Sequence, residues 1–154
     1  MSVTAWRIFK PKHAAAAFTG EGARLYGGRW NSKGTAVVYA AGSAALAALE
    51  LLIHLASQQI LDLYQLRDVT FDEKLVEEVR HSDLPANWRS DPAPRALTEV
   101  GDIWIASQAS VVLRVPSVVI DTEFNYLLNP AHPDFPRFQI GRARDFRLDP
   151  RLLK

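Results

Sequence analysis

The sequence predicts one α+β domain, and three observations carry that prediction. The chain is 154 residues long, which suits one domain and is short for two. Apolar residues make up 48% and charged residues 23%, the balance of a soluble globular chain that buries a core without staples. Segments patterned as strands and as helices follow one another without the regular βαβ rhythm of a doubly wound parallel sheet. A single domain over residues 1–154 is therefore expected.

Taken in order, residues 5–9 alternate large apolar with polar side chains, as a first strand does. Residues 12–18 suit a short helix. Gly20, Gly22, Gly27 and Gly28 mark a loop. Residues 35–40 read as a buried strand, because Val37, Val38 and Tyr39 are consecutive β-formers. Ser43 is a helix cap, and residues 44–56 hold strong helix formers with neither Gly nor Pro. Residues 63–71 read as a strand and 72–79 as a short turn or helix. The prolines within 84–94 predict a surface loop. Residues 95–107 read as a helix that Gly101 weakens. A strand over 110–115 stops at Pro116, and 118–121 suit a further one. Residues 129–136 form a proline-rich turn, and 138–146 a late strand.

Composition excludes several functions. With no cysteine, disulfides, thiolate zinc sites and a cysteine nucleophile are ruled out. A formal net charge of +1 gives no electrostatic footprint for a polyanion or a membrane surface. The start of the chain lacks the pattern of a signal peptide. The apolar run 44–53 is broken by Glu50 and too short to span a bilayer. A cytoplasmic protein is expected.

Familiar motifs also fail. The run Gly20-Glu21-Gly22-Ala23-Arg24-Leu25 has Leu25 where a dinucleotide fingerprint needs its third glycine. No phosphate loop and no serine-hydrolase elbow is present. His13, His54, His81 and His132 are scattered, and Glu50 with His54 makes two ligands at most, so no metal is assigned.

The helix after Ser43 carries the sharpest question. From 44 to 56 only Glu50 and His54 are polar. A helix apolar nearly all round is normally buried, and glutamate is rarely buried unless paired. Glu50 and His54 are four apart and share a face. Either that stripe meets water, or it faces a cleft and Glu50 is a catalytic carboxylate. Arg29 follows two glycines, which let backbone approach a ligand. Its guanidinium suits a phosphate, or it stacks on Trp30 or pairs with a surface acid.

Several segments together are more specific than any one. Gly28-Arg29-Trp30-Asn31 precedes Gly34, Val37-Val38-Tyr39-Ala40-Ala41 and Ala47-Ala48-Leu49-Glu50, with His54-Leu55 a turn later. Val115-Pro116-Ser117 and Asn125-Tyr126-Leu127-Leu128-Asn129-Pro130-Ala131-His132-Pro133 lie downstream. This order resembles the RES domain, named for its Arg, Glu and Ser, which Arg29, Glu50 and Ser117 match.

The resemblance implies a fold similar to ADP-ribosyltransferases, with small β-sheets flanking an NAD-binding cleft and helices around them. It implies a toxin of a bacterial type II toxin–antitoxin pair that cleaves the nicotinamide–ribose bond of NAD⁺ by hydrolysis or phosphorolysis. Other members transfer ADP-ribose to a protein. NAD⁺ is then substrate, with no separate cofactor. The implied partner is an Xre-type helix-turn-helix antitoxin that covers the site, with a toxin homodimer inside a larger complex, and no contact with membrane or nucleic acid.

For the site, the resemblance implies Glu50, Arg29 and Tyr39 as catalytic residues. Glu50 stabilises the positive ribose of an oxocarbenium-like state. Arg29 holds the pyrophosphate, with Arg24 or Lys33 as helpers, and the Tyr39 ring packs on nicotinamide. Ser117 bonds the nucleotide. Asn125 either binds substrate or braces the proline-rich turn. His54 orients Glu50, while Trp30 and Tyr126 pack. Two other readings stand beside the enzyme: a non-catalytic nucleotide-binding module in which Glu50 merely pairs with Arg29, and an RNA-cutting toxin, disfavoured by the charge balance.

Overall fold

The computed structural model describes residues 1–153. Eight strands form one hydrogen-bonded sheet: β1 (Ser2–Phe9), β2 (Val38–Ala41), β3 (Tyr64–Asp72), β4 (Val76–Glu78), β5 (Val112–Pro116), β6 (Phe124–Leu128), β7 (Gln139–Ile140) and β8 (Arg144–Phe146). The order is β4-β5-β6-β2-β1-β3-β7, with β8 also on β3. Every pairing is antiparallel except β4 with β5. Three α-helices accompany it: α1 (Glu21–Tyr26), α2 (Ala44–His54) and α3 (Arg95–Ser107). The α+β class is as expected. The sheets expected as small and separate are joined into one path.

Strand alternation gives the sheet two different faces. Val38, Ala40, Val112, Tyr126 and Leu128 pack in one cluster with Val69, Phe71 and Phe138. Their neighbours Val37, Leu113, Val115 and Leu127 pack on the other face, against Trp30, Trp88, Leu97 and Trp104. Trp88, Leu97 and Trp104 thus fasten α3 and the segment before it to β5 and β6. Leu46 and Ala47 fasten α2 over Ala41, with Trp6 and Ile8 of β1 beside them. Burying Leu46 stabilises this contact by roughly 1.5–3 kcal/mol.

The join between β1 and β2 positions the site. β1 stays paired with β3 from Ser2–Asp72 to Phe9–Gln65, but meets β2 through the single pair Trp6–Ala41. Past that pair the Tyr39 carbonyl is bonded by the Arg7 guanidinium (2.9 Å). The two strands part there, and a cleft opens over the gap.

Several expectations need correction. The glycine-marked segment is not all loop, because α1 forms between Gly20 and Gly27. The segment 118–121 is bend and turn, held by Ser117 instead of a ladder. β6, a central strand, was read only as part of a motif. Apolar clusters cover both of its faces, Tyr126 and Leu128 on one and Leu127 on the other, which removes the polar alternation that signals a strand. The late strand is two short ones, and 72–79 holds a 3₁₀ turn followed by β4. Finally, α2 is not buried all round: Leu49 and Ile53 are exposed, because the sheet covers only one side of it. Gly101 does not weaken α3. A Cβ there would collide with the Trp30 carbonyl oxygen, so its absence lets α3 close on that turn. Among the described residues no helix is long and apolar enough to cross a membrane.

Candidate active site

A cleft of about 1010 Å³ lies between α2 on one side and α1 with the 89–93 segment on the other. Its floor is Trp6, Arg7 and Ile8 of β1, Tyr39, Ala40 and Ala41 of β2, and Asn125 of β6. That is the upper end of ligand-pocket volumes. Arg29, Tyr39, Glu50 and Asn125 all line it, so the structure brings together most of the residues singled out from sequence.

Glu50 is half-buried on the inner face of α2. The helix begins where Ser43 Oγ accepts the Leu46 N–H (3.0 Å), which fixes the phase that turns Glu50 inward. Its Oε1 accepts two hydrogen bonds, from Ser117 Oγ (2.9 Å) and Asn125 Nδ2 (2.8 Å). No hydrogen bond reaches Oε2 among the described residues. The carboxylate is thus fixed by one oxygen, and its residue lines the cleft.

Ser117 departs from its expected role. It is fully buried and does not line the cleft. Its hydroxyl donates to Glu50 and accepts the Val119 and Ile120 N–H groups at 3.0 and 3.2 Å. It therefore couples the carboxylate to the turn after β5. His54 also lines the cleft, but no hydrogen bond joins it to Glu50, whose orientation comes from Ser117 and Asn125.

Of the arginines that line the cleft, Arg29 and Arg7 have no acidic partner among the described residues. Arg29 donates through Nη1 to the carbonyls of Trp88 (3.2 Å) and Ser90 (2.9 Å). Arg7 donates to Ala17 O (2.6 Å) and Tyr39 O (2.9 Å), and burial lowers its pKa from the usual arginine value. Among the described residues neither forms an ion pair. Arg7 and Arg29 thus face the cleft bonded only to carbonyl dipoles, beside Arg89, which also lines it and is paired with Asp121, an arrangement that favours an anionic ligand. Arg24 and Lys33, expected as helpers, are outside the lining, and Arg24 is paired with Glu21 on the surface. Arg7 lines the cleft instead. A charged residue within 5–9 is what strand alternation allows, so the sequence does not single it out.

Tyr39 and Asn31 build the turn that carries Arg29. The Tyr39 hydroxyl donates to Asn31 Oδ1 and accepts the Trp30 N–H (3.1 Å). Asn31, 1% exposed, donates through Nδ2 to the carbonyls of Ala23, Ser32 and Thr35. A Cβ at Gly28 would meet the Tyr39 hydroxyl, so only glycine allows this approach. Burial, the largest influence, holds the Tyr39 phenol protonated far above its ordinary range. The hydroxyl is thus committed to the turn, while Tyr39 also lines the cleft. Asn31 was missed as a site-building residue because nothing in sequence separates a buried amide from an exposed one.

Comparison with known proteins gives a consistent picture. A family model described as the RES domain matches residues 4–149. A Yersinia enterocolitica protein named "Toxin Res" is 40% identical, covering 96% of this chain and 97% of its own. A Sphingobium sp. protein named "Prs ADP-ribosylating toxin" is 39% identical over 100% of this chain and 99% of its own. Among solved structures, a chain of the M. tuberculosis MbcT–MbcA toxin–antitoxin complex superposes with a TM-score of 0.78. It covers 99% of this chain and 87% of its own at 19% identity, a likeness of fold.

Proposed function

The chain belongs to the RES-domain family, and from that premise we propose that it is the toxin of a toxin–antitoxin pair and cleaves the nicotinamide–ribose bond of NAD⁺. The observation that carries this reading is Glu50, which lines the cleft and is held through Oε1 alone, by Ser117 and Asn125. Breaking an N-glycosidic bond passes through an oxocarbenium-like state, with positive charge on the ribose. A pre-oriented carboxylate stabilises that charge without reorganising as the bond breaks. Oε2 is free to accept a ribose hydroxyl.

Arg7 and Arg29 serve the pyrophosphate. Arg7 is already desolvated at the cleft floor, so an anion gains most of its attraction there. Arg29 lies on the turn that Tyr39 and Asn31 brace, and the Tyr39 ring offers a face for nicotinamide. Nicotinamide leaves as a neutral pyridine, so the reaction needs no strong general acid. Asn125, through its bond to Glu50, acts as a positioning residue.

The acceptor of ADP-ribose is water or phosphate in this reading. A second reading, transfer to a protein side chain, is favoured by the name of the Sphingobium relative. The non-catalytic alternative required a Glu50–Arg29 pair, and Glu50 bonds Ser117 and Asn125 instead. The proposed partner is an antitoxin of the Xre type that covers the cleft, with the toxin as a homodimer in the complex. Support for an antitoxin comes from the toxin–antitoxin complex that shares the fold.

The test is NAD⁺ turnover by the purified chain without antitoxin, with phosphate present and absent and Glu50→Ala as control. Nicotinamide release abolished by the substitution supports glycosidic cleavage, and dependence on phosphate names the acceptor. A folded protein that releases none in either condition contradicts hydrolysis and phosphorolysis and leaves protein transfer as the reading to test.

A further inference from the structure

Two loops flank the cleft, and each is tied to one half of the site. The segment 88–93 meets Arg29 through the Trp88 and Ser90 carbonyls, and Arg89 and Asp91 from it line the cleft. The turn 117–123 holds Glu50 through Ser117, and Val118 and Val119 from it also line the cleft. One ion pair spans the two loops: Arg89 Nη2 lies 2.9 Å from Asp121 Oδ2. The Arg89 guanidinium also sits over the Trp88 ring, 5.2 Å from its centroid, and Trp88 is anchored in the core. That stacking holds the guanidinium in place beforehand, so the pair costs less side-chain freedom than an ordinary surface contact.

We infer that Arg89 and Asp121 form a latch that fixes the separation between the cationic side of the cleft and the carboxylate side. They are positioning residues. Neither needs to touch substrate. Opening the latch lets the 88–93 segment, and Arg29 with it, move relative to Glu50. The role in catalysis rests on the NAD⁺ reading, but the latch itself is a property of the free protein.

The experiment uses Arg89→Ala, Asp121→Ala and the reversed double variant Arg89→Asp/Asp121→Arg of the full chain. Amide hydrogen exchange is read at Trp88, Ser90 and Glu123, whose N–H groups bond within the two loops to Pro85, Asn87 and Ile120. Each single variant should exchange about two- to five-fold faster at these amides in low salt, with core amides unchanged. The reversed pair should restore protection. Raising wild-type ionic strength should move it toward the single variants, since both side chains are about half exposed, at 49% and 59%. Exchange unchanged in the single variants, or not restored by reversal, overturns the latch. In turnover, KM for NAD⁺ should rise by about the same two- to five-fold and fall back in the reversed pair. Wild-type protein that cleaves no NAD⁺ while the exchange pattern holds would refute the NAD⁺ reading and leave the latch standing.

Discussion

Replacing Ser117 with alanine deletes one oxygen and breaks three hydrogen bonds. The bond to the Glu50 carboxylate is charge-assisted and worth about 1.5–3 kcal/mol. The Val119 and Ile120 N–H groups lose their acceptor, but both residues are half-buried, so water replaces part of it. The combined loss is roughly 2–4 kcal/mol. For a chain of this size each 1 kcal/mol lowers Tm by about 2–4 °C, which gives a fall of roughly 5–15 °C. Thermal unfolding followed by circular dichroism measures it. NAD⁺ turnover is then compared below both transitions, where kcat should fall more than KM rises, because Glu50 is left with Asn125 alone. Asn125→Ala breaks only the single bond to Glu50, so it should lower Tm less. An unchanged Tm with a raised KM would mean that Ser117 meets the nucleotide directly, and would refute its positioning role.

Three further outcomes are expected. Arg7→Gln should raise KM for NAD⁺ at least ten-fold, because a desolvated cation at the cleft floor is lost while the amide can still reach a carbonyl; isothermal titration with NAD⁺ checks it. Tyr39→Phe should destabilise the fold by about 1–3 kcal/mol, because the Asn31 Oδ1 and Trp30 N–H groups lose their partner, yet retain more activity than Tyr39→Ala, which also loses the ring. Gly101→Ala should destabilise by about 1–3 kcal/mol or more, since its Cβ collides with the Trp30 carbonyl, whereas Gly22→Ala, in a helix with open space around it, should stabilise by about 0.5–1 kcal/mol; denaturant midpoints compare them.

The elements legible in sequence were those with a local cause. α3 spans the residues expected, Ser43 caps α2, and β1, β2, β3 and β5 lie near their expected ranges. β6 was hidden because burial on both sides erased its alternation. The outward face of α2 was misread because apolar composition says how much a helix can bury, not how much its neighbours cover. Arg29, Tyr39, Glu50 and Asn125, singled out from the sequence, line one cleft. Ser117, expected to bond the nucleotide, is buried on the Glu50 carboxylate, a contact that spacing does not show. Arg7 was passed over because its importance comes from the parting of β1 and β2, a tertiary event with no local pattern.

The central claim is that Glu50 works by its charge and not by holding the fold together. Its most direct test is nicotinamide release from NAD⁺ by the wild-type chain and by Glu50→Gln, with Tm measured on the same samples. A glutamine oxygen can keep both bonds now made by Oε1, so Tm should stay within a few degrees. The rate should fall on the order of 10²- to 10³-fold. A variant that releases nicotinamide at the wild-type rate, or one whose lost activity merely tracks a collapsed Tm, would contradict the account.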